Sequence, residues 1–537
     1  MSDSQNTTVT PSIWQRVKGL AHVLSRWLFL IACLGLCAGL FYISYPKVSF
    51  SFAAWFILAP FIWGICHVRG FWGAVGYGWL AGLLSNALLL SWVYYTCLHG
   101  GDLSKSLSLA AWLGLSGLLA LQFAVFGGSC YFLKKTGGFF PLLAACAWVA
   151  LEWLHQMIAF YGLGFPWVML GYTQWNVPQV LYVASFAGVY GISFLLSFVG
   201  ASTGWYLGQS SFRKALRQLV IAVIVFACVY GVGKHMQDKF ARFLKNPRSL
   251  LTVETALLQP NIDQYKKWTP EFEEEITNTL KDMGGQLAKN TYLAVWPESA
   301  VPGSLTDEKY FELFSHIGQT SGAYQVVGSN IFVSENEQYV GAYLLNPAGD
   351  GLSAYRKEKL VPFGEFIPFE GLFRYVLKDV EVMGALGAFL PGPHPQPLLE
   401  AGRVKLGTTV CYESIFPQLW REQNKQGAQL FVNITNDAWF FNTAAPYQHL
   451  AANVLRAVEN GRPVLRAANT GFSAYIDAFG NINQKSNLFT QEILTVSVPL
   501  SVTERNTFYT KWGDWFAWLC AILFFTIGIS TIVFLYE

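Results

Sequence analysis

The sequence has few charged residues for its length. Asp, Glu, Lys and Arg make up 13% of its 537 residues, which is about half the share found in ordinary soluble domains. The net charge is only +3 and no run of Lys or Arg occurs, so the composition argues against a nucleic-acid partner. Apolar residues reach 53% and aromatic residues 16%. This balance indicates a membrane protein that carries a soluble portion.

Cysteine is scarce outside the apolar segments. Of the nine cysteines, only Cys411 lies in the polar part of the chain, and the others lie in or at the edges of hydrophobic segments. A lone thiol cannot form an internal disulfide, and in an oxidising compartment it risks oxidation. Cys411 is therefore either an unreactive cysteine that packs in the core or a thiol that must stay free in order to react.

Hydrophobic segments occupy the first 235 residues and the C-terminus. Each can supply the ~20 mostly apolar residues that cross the hydrocarbon core of a bilayer. The first follows basic residues but lacks a small-residue cleavage pattern, which favours a retained helix over a signal peptide. The sequence predicts seven spans near 26–45, 51–68, 71–95, 107–133, 139–161, 179–207 and 217–234, and an eighth near 512–535.

Basic residues in the short loops predict the orientation of these spans. With a cytoplasmic N-terminus, the inside segments hold nine Lys or Arg residues and the short outside loops hold two, as the positive-inside rule requires. Seven crossings place the large polar stretch outside the cytoplasm, and the eighth brings the C-terminus back inside. The predicted domains are a cytoplasmic segment 1–25, a membrane domain 26–235, an extracytoplasmic catalytic domain 236–511 and a C-terminal span 512–537.

Short apolar runs alternate with helical stretches between residues 250 and 500. Strands are predicted at 252–259, 291–296, 325–329, 339–346, 404–410 and 430–434, and helices at 270–287 and 310–322. Such alternation predicts an α/β domain in which sheets are covered by helices.

Three polar residues follow predicted strands. Glu298 comes after an apolar run, Lys357 lies in AYRKEKL at 354–360, and Cys411 comes directly after 404–410. Strand ends are where catalytic side chains of α/β sheets meet in one crevice. Residues 412–425 read as helical, so we expect a nearby helix N-terminus and backbone N–H groups to lower the pKa of Cys411.

Each of these residues also has an ordinary interpretation. Glu298 fits an acid at a helix N-terminus, Lys357 fits a solvated lysine on an edge strand, and strand alternation does not separate Lys357 from Lys359. As a set they predict chemistry, because a cysteine nucleophile needs a base and a positive group for the oxyanion. A buried carboxylate can be that base. A Cys–His arrangement stays open as an alternative, with the candidates His316, His394 and His449.

Four motifs around these residues resemble the nitrilase superfamily. They are WPE at 296–298, YRK at 355–357 followed by LVPFGE at 360–365, VCYE at 410–413 and NITNDAW at 433–439. The order Glu, Lys, Cys is the family's own. The resemblance implies an αββα sandwich with a Glu298–Lys357–Cys411 triad. It selects Lys357 over Lys359, because the lysine stands eight residues before Glu365.

The predicted membrane spans point to one family within this superfamily. The order of seven spans, a nitrilase-like domain and a final span is similar to that of the apolipoprotein N-acyltransferase family. Local sequences that also resemble this family are GFPW at 164–167, Arg462-Pro463 and Arg466. That family implies transfer of an acyl chain from a phospholipid, typically phosphatidylethanolamine, through a cysteine thioester. The acceptor is the free amine of diacylglyceryl-cysteine on an apolipoprotein. The implied location is the bacterial inner membrane, and no metal or cofactor is implied.

The resemblance also implies roles for individual residues. Glu298 is the base, and Lys357 with the backbone N–H of Tyr412 stabilises the oxyanion. Further implied residues are Glu365, which holds Lys357 or the substrate, and Glu413 and Trp268, which line the pocket.

Two other functions stay open at this stage. A membrane-anchored amidase of the nitrilase type would use the same triad with water as the second acceptor. A transporter with an extracytoplasmic binding domain is the other, although such proteins show internal repeats. Within the fifth predicted span, Glu152 and His155 lie three residues apart on one helix face, and we expect them to pair with each other.

Overall fold

The computed structural model describes residues 13–209, 212–245, 250–334, 337–368, 389–501 and 506–536. Residues 1–12, which belong to the predicted cytoplasmic segment 1–25, lie outside these ranges. Helices make up the first part of the chain, two β-sheets with their helices make up the second, and a final helix ends it.

Long apolar helices form the first part. Their bounds are α1 Ile13–Ser44, α2 Ala59–His67, α3 Phe71–Leu89, α4 Trp92–Tyr95, α5 Lys105–Leu133, α6 Phe140–Phe160, α7 Pro178–Leu181, α8 Ala184–Gly208 and α9 Phe212–Leu244. Many large apolar side chains on them face outward, among them Trp27, Leu118 and Ile224. An apolar outer face suits helices that lie in lipid, where each backbone polar group is satisfied within the helix.

Among the described residues, four helical stretches are long and apolar enough to cross a membrane, or five if α3 and the bent segment 92–100 form one span. One of the four, Lys105–Phe160, is 56 residues long. It is interrupted at Gly137, whose φ of 59° and ψ of −117° are not helical, and α5 and α6 on its two sides pack against each other. Residues 51–67 and 515–527 form shorter apolar helices. The count of eight spans stays a prediction.

The second part contains two six-stranded sheets, with the orders β12-β1-β2-β3-β4-β5 and β11-β10-β9-β8-β7-β6. In chain order, the first five strands are β1 Leu250–Gln259, β2 Leu293–Val295, β3 Tyr324–Ser334, β4 Glu337–Leu345 and β5 Leu352–Arg356. The next seven are β6 Leu399–Ala401, β7 Val404–Val410, β8 Leu430–Thr435, β9 Val464–Ala468, β10 Ala474–Ile476, β11 Ile482–Lys485 and β12 Glu492–Ser501, and the last of them returns to the first sheet. The central strands of each sheet are parallel, and the outer pairs are antiparallel.

The two sheets pack face to face, with helices on both outer sides. Residues from both sheets, such as Val295 and Val432, share one buried cluster. Helices α10 Glu273–Gly285 and α11 Glu308–Ser321 cover the first sheet. Helices α12 Pro417–Lys425 and α13 Ala445–Asn460 cover the second sheet and share a buried cluster with the membrane helices. The predicted αββα sandwich is therefore confirmed.

The C-terminal helices return to the membrane part. They are α14 Phe508–Trp512 and α15 Trp515–Tyr536, and α15 packs against α6 and α8. At this junction Gly188 interrupts α8 with a φ of 65°, and the backbone N–H of Val189 donates to Glu459 of α13 at 2.9 Å. Arg456 neutralises that carboxylate, with 2.7 Å between Nε and Oε2. These contacts join the sandwich directly to the helical bundle.

Two sequence-based expectations are wrong. Glu152 accepts hydrogen bonds from the Trp148 indole at 2.9 Å and from the backbone N–H of Leu170 at 2.8 Å, rather than pairing with His155. The His155 ring contacts Gln122 instead, at 3.2 Å. Residues 411–415 form one 3-10 turn, and the helix begins only at Pro417, where the missing N–H of proline costs no hydrogen bond.

Candidate active site

Glu298 lies just past β2, which runs in the middle of the first sheet. Its carboxylate is buried, with 6% of the residue exposed. Oε1 lies 3.2 Å from the ammonium of Lys357 and Oε2 accepts the backbone N–H of Asn436 at 2.9 Å. Gly328 of β3 makes this placement possible, because a Cβ there would lie 2.2 Å from the Pro297 carbonyl oxygen.

Lys357 follows β5, and its backbone N–H continues the ladder to Val340 at 2.8 Å. Its side chain is fully buried, and Nζ lies 3.2 Å from Glu298 and 2.6 Å from Glu365. Burial by itself would lower the pKa of Lys357, but the two carboxylates outweigh it and raise this pKa well above its usual value. Lys357 is therefore a permanent cation at the centre of the site.

Glu365 closes the other side of Lys357. Its second oxygen accepts the backbone N–H of Val361 at 2.9 Å, which fixes the loop around it. Burial, together with the charge of Glu298, raises the pKa of Glu365, and Lys357 opposes the shift. The predicted Glu365–Lys357 contact is present in the structure.

Cys411 lies at the sharp turn after β7, with a φ of 52°. A positive φ strains a residue that has a Cβ, and such strain is concentrated at functional sites. The charges of Glu298, Lys357 and Asp437 all act on its thiol. The structure thus brings the three residues of the predicted triad close together, each just past the end of a strand.

The expected lowering of the Cys411 pKa is wrong. Burial raises the pKa of the thiol, the Glu298 carboxylate raises it further, and Lys357 offsets only part of this. The helix N-terminus that was expected to lower it stands farther along the chain, at Pro417. The Cys411 thiol is therefore neutral at rest, and any reaction through its sulfur requires a base.

Glu413 lies behind the cysteine, fully buried. Its carboxylate accepts backbone N–H groups of Val410 at 2.7 Å and Glu358 at 2.6 Å, and the Tyr355 hydroxyl at 3.0 Å. Burial and the nearby Glu358 charge raise the pKa of Glu413 to about 8. These bonds tie the turn that carries Cys411 to the loop that carries Lys357.

Tyr412 and Lys359 connect the site to the membrane helices. The Tyr412 ring stacks on Phe165 with 5.8 Å between centroids, and its hydroxyl donates to the Gly164 carbonyl at 3.4 Å. Lys359 points away from Glu298 and donates to the Phe160 carbonyl at 2.8 Å. Hence the GFPW loop at 164–167 forms part of the wall beside Cys411.

His449 does not contact the Cys411 thiol in the way that a Cys–His pair requires. Its Nε2 lies 2.9 Å from the backbone carbonyl of Cys411, and a carbonyl can only accept, so Nε2–H is the donor. Nδ1 lies 2.9 Å from Asp437 Oδ1, and Arg466 donates to the other oxygen of Asp437 at 2.7 Å. This buried group supports the strained turn, and sequence reasoning did not link its members.

Among the described residues, the remaining predicted residues form no hydrogen bond or ion pair with the triad. Trp268 is 48% exposed. His316 and His394 make no contact with Cys411 among the described residues, and His394 pairs with Glu358 and Glu422. In the same described ranges, no group of three His, Cys, Asp or Glu side chains is arranged to hold a metal ion.

Comparisons with known proteins cover both parts of the chain. A family model described as carbon-nitrogen hydrolase matches residues 254–506, and one described as apolipoprotein N-acyltransferase N-terminal domain matches residues 37–202. A solved amidase from Nesterenkonia sp. is similar at 22% identity, covering 46% of this chain and 90% of that chain with a TM-score of 0.33.

Two relatives named apolipoprotein N-acyltransferase match nearly end to end. That of Geobacter metallireducens is 34% identical over 496 residues, covering 89% of this chain and 90% of the relative. That of Methylococcus capsulatus is 33% identical over 457 residues, covering 83% and 85%. The family expected from the motifs is confirmed, and the chain belongs to the apolipoprotein N-acyltransferase family.

Proposed function

We propose that this chain is an apolipoprotein N-acyltransferase that moves an acyl chain from a phospholipid to a lipoprotein through a Cys411 thioester. The observation that carries the proposal is the position of Cys411. It lies beside the buried Glu298–Lys357–Glu365 group, and the next residue, Tyr412, packs on a loop of the membrane helices. A nucleophile held there meets substrates whose acyl chains stay in the bilayer.

In the first step Glu298 takes the proton of the Cys411 thiol as sulfur attacks the ester carbonyl of the phospholipid. The thiol has a raised pKa, so proton removal has to accompany attack. Lys357 and the backbone N–H of Tyr412 stabilise the charge that develops on the carbonyl oxygen. The glycerol oxygen then leaves with the proton from Glu298, which gives a lysophospholipid and the acyl-enzyme.

In the second step the free amine of diacylglyceryl-cysteine attacks the thioester carbonyl. The new C–N bond forms as the C–S bond breaks, and Glu298 passes the amine proton to the Cys411 sulfur. The same carboxylate thus serves as base and acid in both steps, which suits its fixed position between Lys357 and Asn436. Glu365 and Glu413 hold Lys357 and the Cys411 turn in place, and Trp268 is proposed to line the pocket.

The contact between the site and the membrane bundle supports a lipid substrate over a soluble amide. Phe160, Gly164 and Phe165, from α6 and the loop after it, contact residues of the sandwich next to the triad. An apolar wall of this kind also keeps water away from a thioester. Phosphatidylethanolamine is the donor that we propose.

We place the sandwich on the periplasmic side of the inner membrane, with eight spans and both termini in the cytoplasm. The domain organisation is that proposed above: 1–25, 26–235, 236–511 and 512–537. The excess of Lys and Arg in the inside loops supports this orientation. A cysteine placed at exposed Glu274 should react with a membrane-impermeant maleimide in spheroplasts; protection until lysis would contradict the orientation.

The transferase proposal is tested with purified enzyme, phosphatidylethanolamine and a diacylglyceryl-cysteine peptide. We expect N-acylated peptide and lysophospholipid in equal amounts, and neither with Cys411→Ala, because the sulfur is the attacking atom. Products are measured by mass spectrometry. Release of free fatty acid at the same rate with and without peptide would instead identify a hydrolase.

A further inference from the structure

Gln448 is a buried residue in the first turn of α13. Its carboxamide oxygen accepts the indole N–H of Trp92 at 3.1 Å and that of Trp167 at 2.8 Å. Its amide nitrogen donates to the backbone carbonyls of Leu89 at 3.0 Å and Pro46 at 3.4 Å. Since an indole N–H can only donate and a carbonyl can only accept, the orientation of the amide is fixed. The side chain therefore uses its oxygen for two donors and its nitrogen for two acceptors.

The partners of Gln448 belong to separate elements of the helical bundle. Trp167 lies in the loop after α6, and Leu89 ends α3 just before the chain bends by 55°. At this bend the Val93 N–H donates to the Leu90 carbonyl at 2.9 Å. The Leu89 carbonyl, which a continuous helix would pair with that N–H, accepts from Gln448 instead. One side chain of the sandwich thus fixes both the bend and the loop after α6.

The two tryptophans form the far end of an aromatic wall, which consists of Tyr412, Phe165, Trp167 and Trp92. The wall begins at Tyr412, the residue after the nucleophile, whose ring stacks on Phe165 with 5.8 Å between centroids. Phe165 stacks on Trp167 with 5.4 Å between centroids and 3° between planes, and Trp167 packs on Trp92 at 5.2 Å. Because both indole N–H groups are bonded to Gln448, the tryptophans of this wall present no unpaired donor to an acyl chain.

We infer that Gln448 is a positioning residue of the proposed acyl transfer, which holds the aromatic wall where the long acyl chain of the donor lies. The inference rests on the proposed function and adds to it a residue that favours long acyl chains. Gln448 acts through Trp167 and Trp92, not on the reacting atoms. Without its carboxamide both buried indole N–H groups lose their acceptor, so the rings turn to find another. A displaced wall misaligns a long acyl chain, whereas a two-carbon acyl group has no chain to align.

The experiment measures how fast Cys411 is acylated by two esters that differ in chain length. One is dipalmitoyl phosphatidylethanolamine in detergent micelles. The other is p-nitrophenyl acetate, from which the sulfur takes the acetyl group as p-nitrophenolate leaves. For Gln448→Met we expect the rate with the phospholipid to fall roughly tenfold to hundredfold, the effect of a ~1 Å misplacement, and the rate with p-nitrophenyl acetate to stay within about twofold. The acyl-enzyme is measured by intact-protein mass spectrometry, and thermal unfolding in detergent is measured on the same samples.

Gln237→Met is the matched control. Gln237 also joins the bundle to the sandwich, since it accepts from Gln179 at 2.8 Å and donates to Asn481 at 2.9 Å. It forms no hydrogen bond with the aromatic wall among the described residues, so its change should leave the rates with both esters unaltered. Trp167→Leu removes part of the wall directly. In that background Gln448→Met should cost less than it does in the wild type, because the two residues act together.

The outcomes separate this inference from the proposed function. A wild type that the phospholipid does not acylate contradicts the proposed function itself, whatever the variants do. Equal losses with both esters in Gln448→Met, or a variant that fails to fold, would mean that Gln448 supports α13 and the Cys411 turn through the neighbouring His449, and the inference is overturned. An unchanged rate with the phospholipid, or fully additive losses in the double variant, would overturn it as well.

Discussion

Glu298→Gln should lower the rate of thioester formation by about 10²- to 10⁴-fold, the range that general acid–base catalysis contributes. The glutamine keeps the size of the side chain and one carbonyl oxygen, which can accept from either Lys357 or the Asn436 backbone N–H, whereas its NH2 group faces the other donor. What is lost is the group that takes the thiol proton, and burial makes that thiol hard to ionise without help. The rate is measured by intact-protein mass spectrometry after mixing with phospholipid.

Glu274→Gln is the control for this substitution. Glu274 is exposed on α10, so its change removes one charge from the same domain without touching the site. A Glu298→Gln protein that keeps more than one tenth of the control's rate would show that another group accepts the proton. The transfer step should fall as well, because the amine also loses its proton to Glu298.

Arg466→Met should have the largest effect on stability, about 3–5 kcal/mol, which is typical when one partner of a buried ion pair is removed. Arg466 is fully buried and donates to Asp437 at 2.7 Å, Asn433 at 2.8 Å and the Phe472 carbonyl at 3.1 Å. Its loss leaves the Asp437 carboxylate buried without a guanidinium, with the Thr435 hydroxyl and His449 beside it. For a domain of this size the expected fall in the unfolding midpoint is roughly 6–20 °C.

The matched control is Arg242→Met, because Arg242 is exposed at the end of α9. Burial alone would raise the pKa of Asp437, yet Arg466 and His449 hold this pKa well below its usual value. The difference in stability between the wild type and Arg466→Met should therefore become smaller at acidic pH, where the Asp437 carboxylate of the variant can be neutralised by a proton. An unfolding midpoint of Arg466→Met within about 2 °C of that of Arg242→Met corresponds to roughly 1 kcal/mol or less. That result would mean that the Arg466–Asp437 ion pair contributes little to stability.

The positions of Glu298 and Cys411 could be predicted because each residue follows a hydrophobic strand. Runs such as 404–410 and 430–434 match β7 and β8 closely, since buried parallel strands are continuous apolar segments bounded by polar ends. The carboxyl ends of such strands share one edge of a sheet. Glu298 follows β2 of one sheet and Cys411 follows β7 of the other, and they come together because the two sheets pack face to face.

Choosing between Lys357 and Lys359 required more than local pattern. Alternation places both on one face of an extended chain, but the strand ends at Arg356, so the alternation no longer holds beyond it. Lys357 turns inward to Glu298, whereas Lys359 turns to Phe160 of the membrane helices. The family motif, rather than periodicity, selected the residue that the structure places beside Glu298.

Long-range contacts explain the other differences. His449, Asp437 and Arg466 lie on a helix, a loop and a strand, and no spacing in the sequence reveals that they meet beneath Cys411. The pKa of Cys411 is raised rather than lowered because the thiol is buried, and this burial depends on how the second sheet packs with its helices, which the local sequence does not show.

The central claim is that Cys411 carries the acyl group as a thioester. Intact-protein mass spectrometry of the wild type after incubation with phosphatidylethanolamine tests this most directly, with Cys411→Ala beside it. The account predicts a mass gain of one acyl chain on the wild type, removed by hydroxylamine and absent from Cys411→Ala. The same adduct on Cys411→Ala, or none on wild type that still produces lysophospholipid and N-acylated peptide, would contradict it.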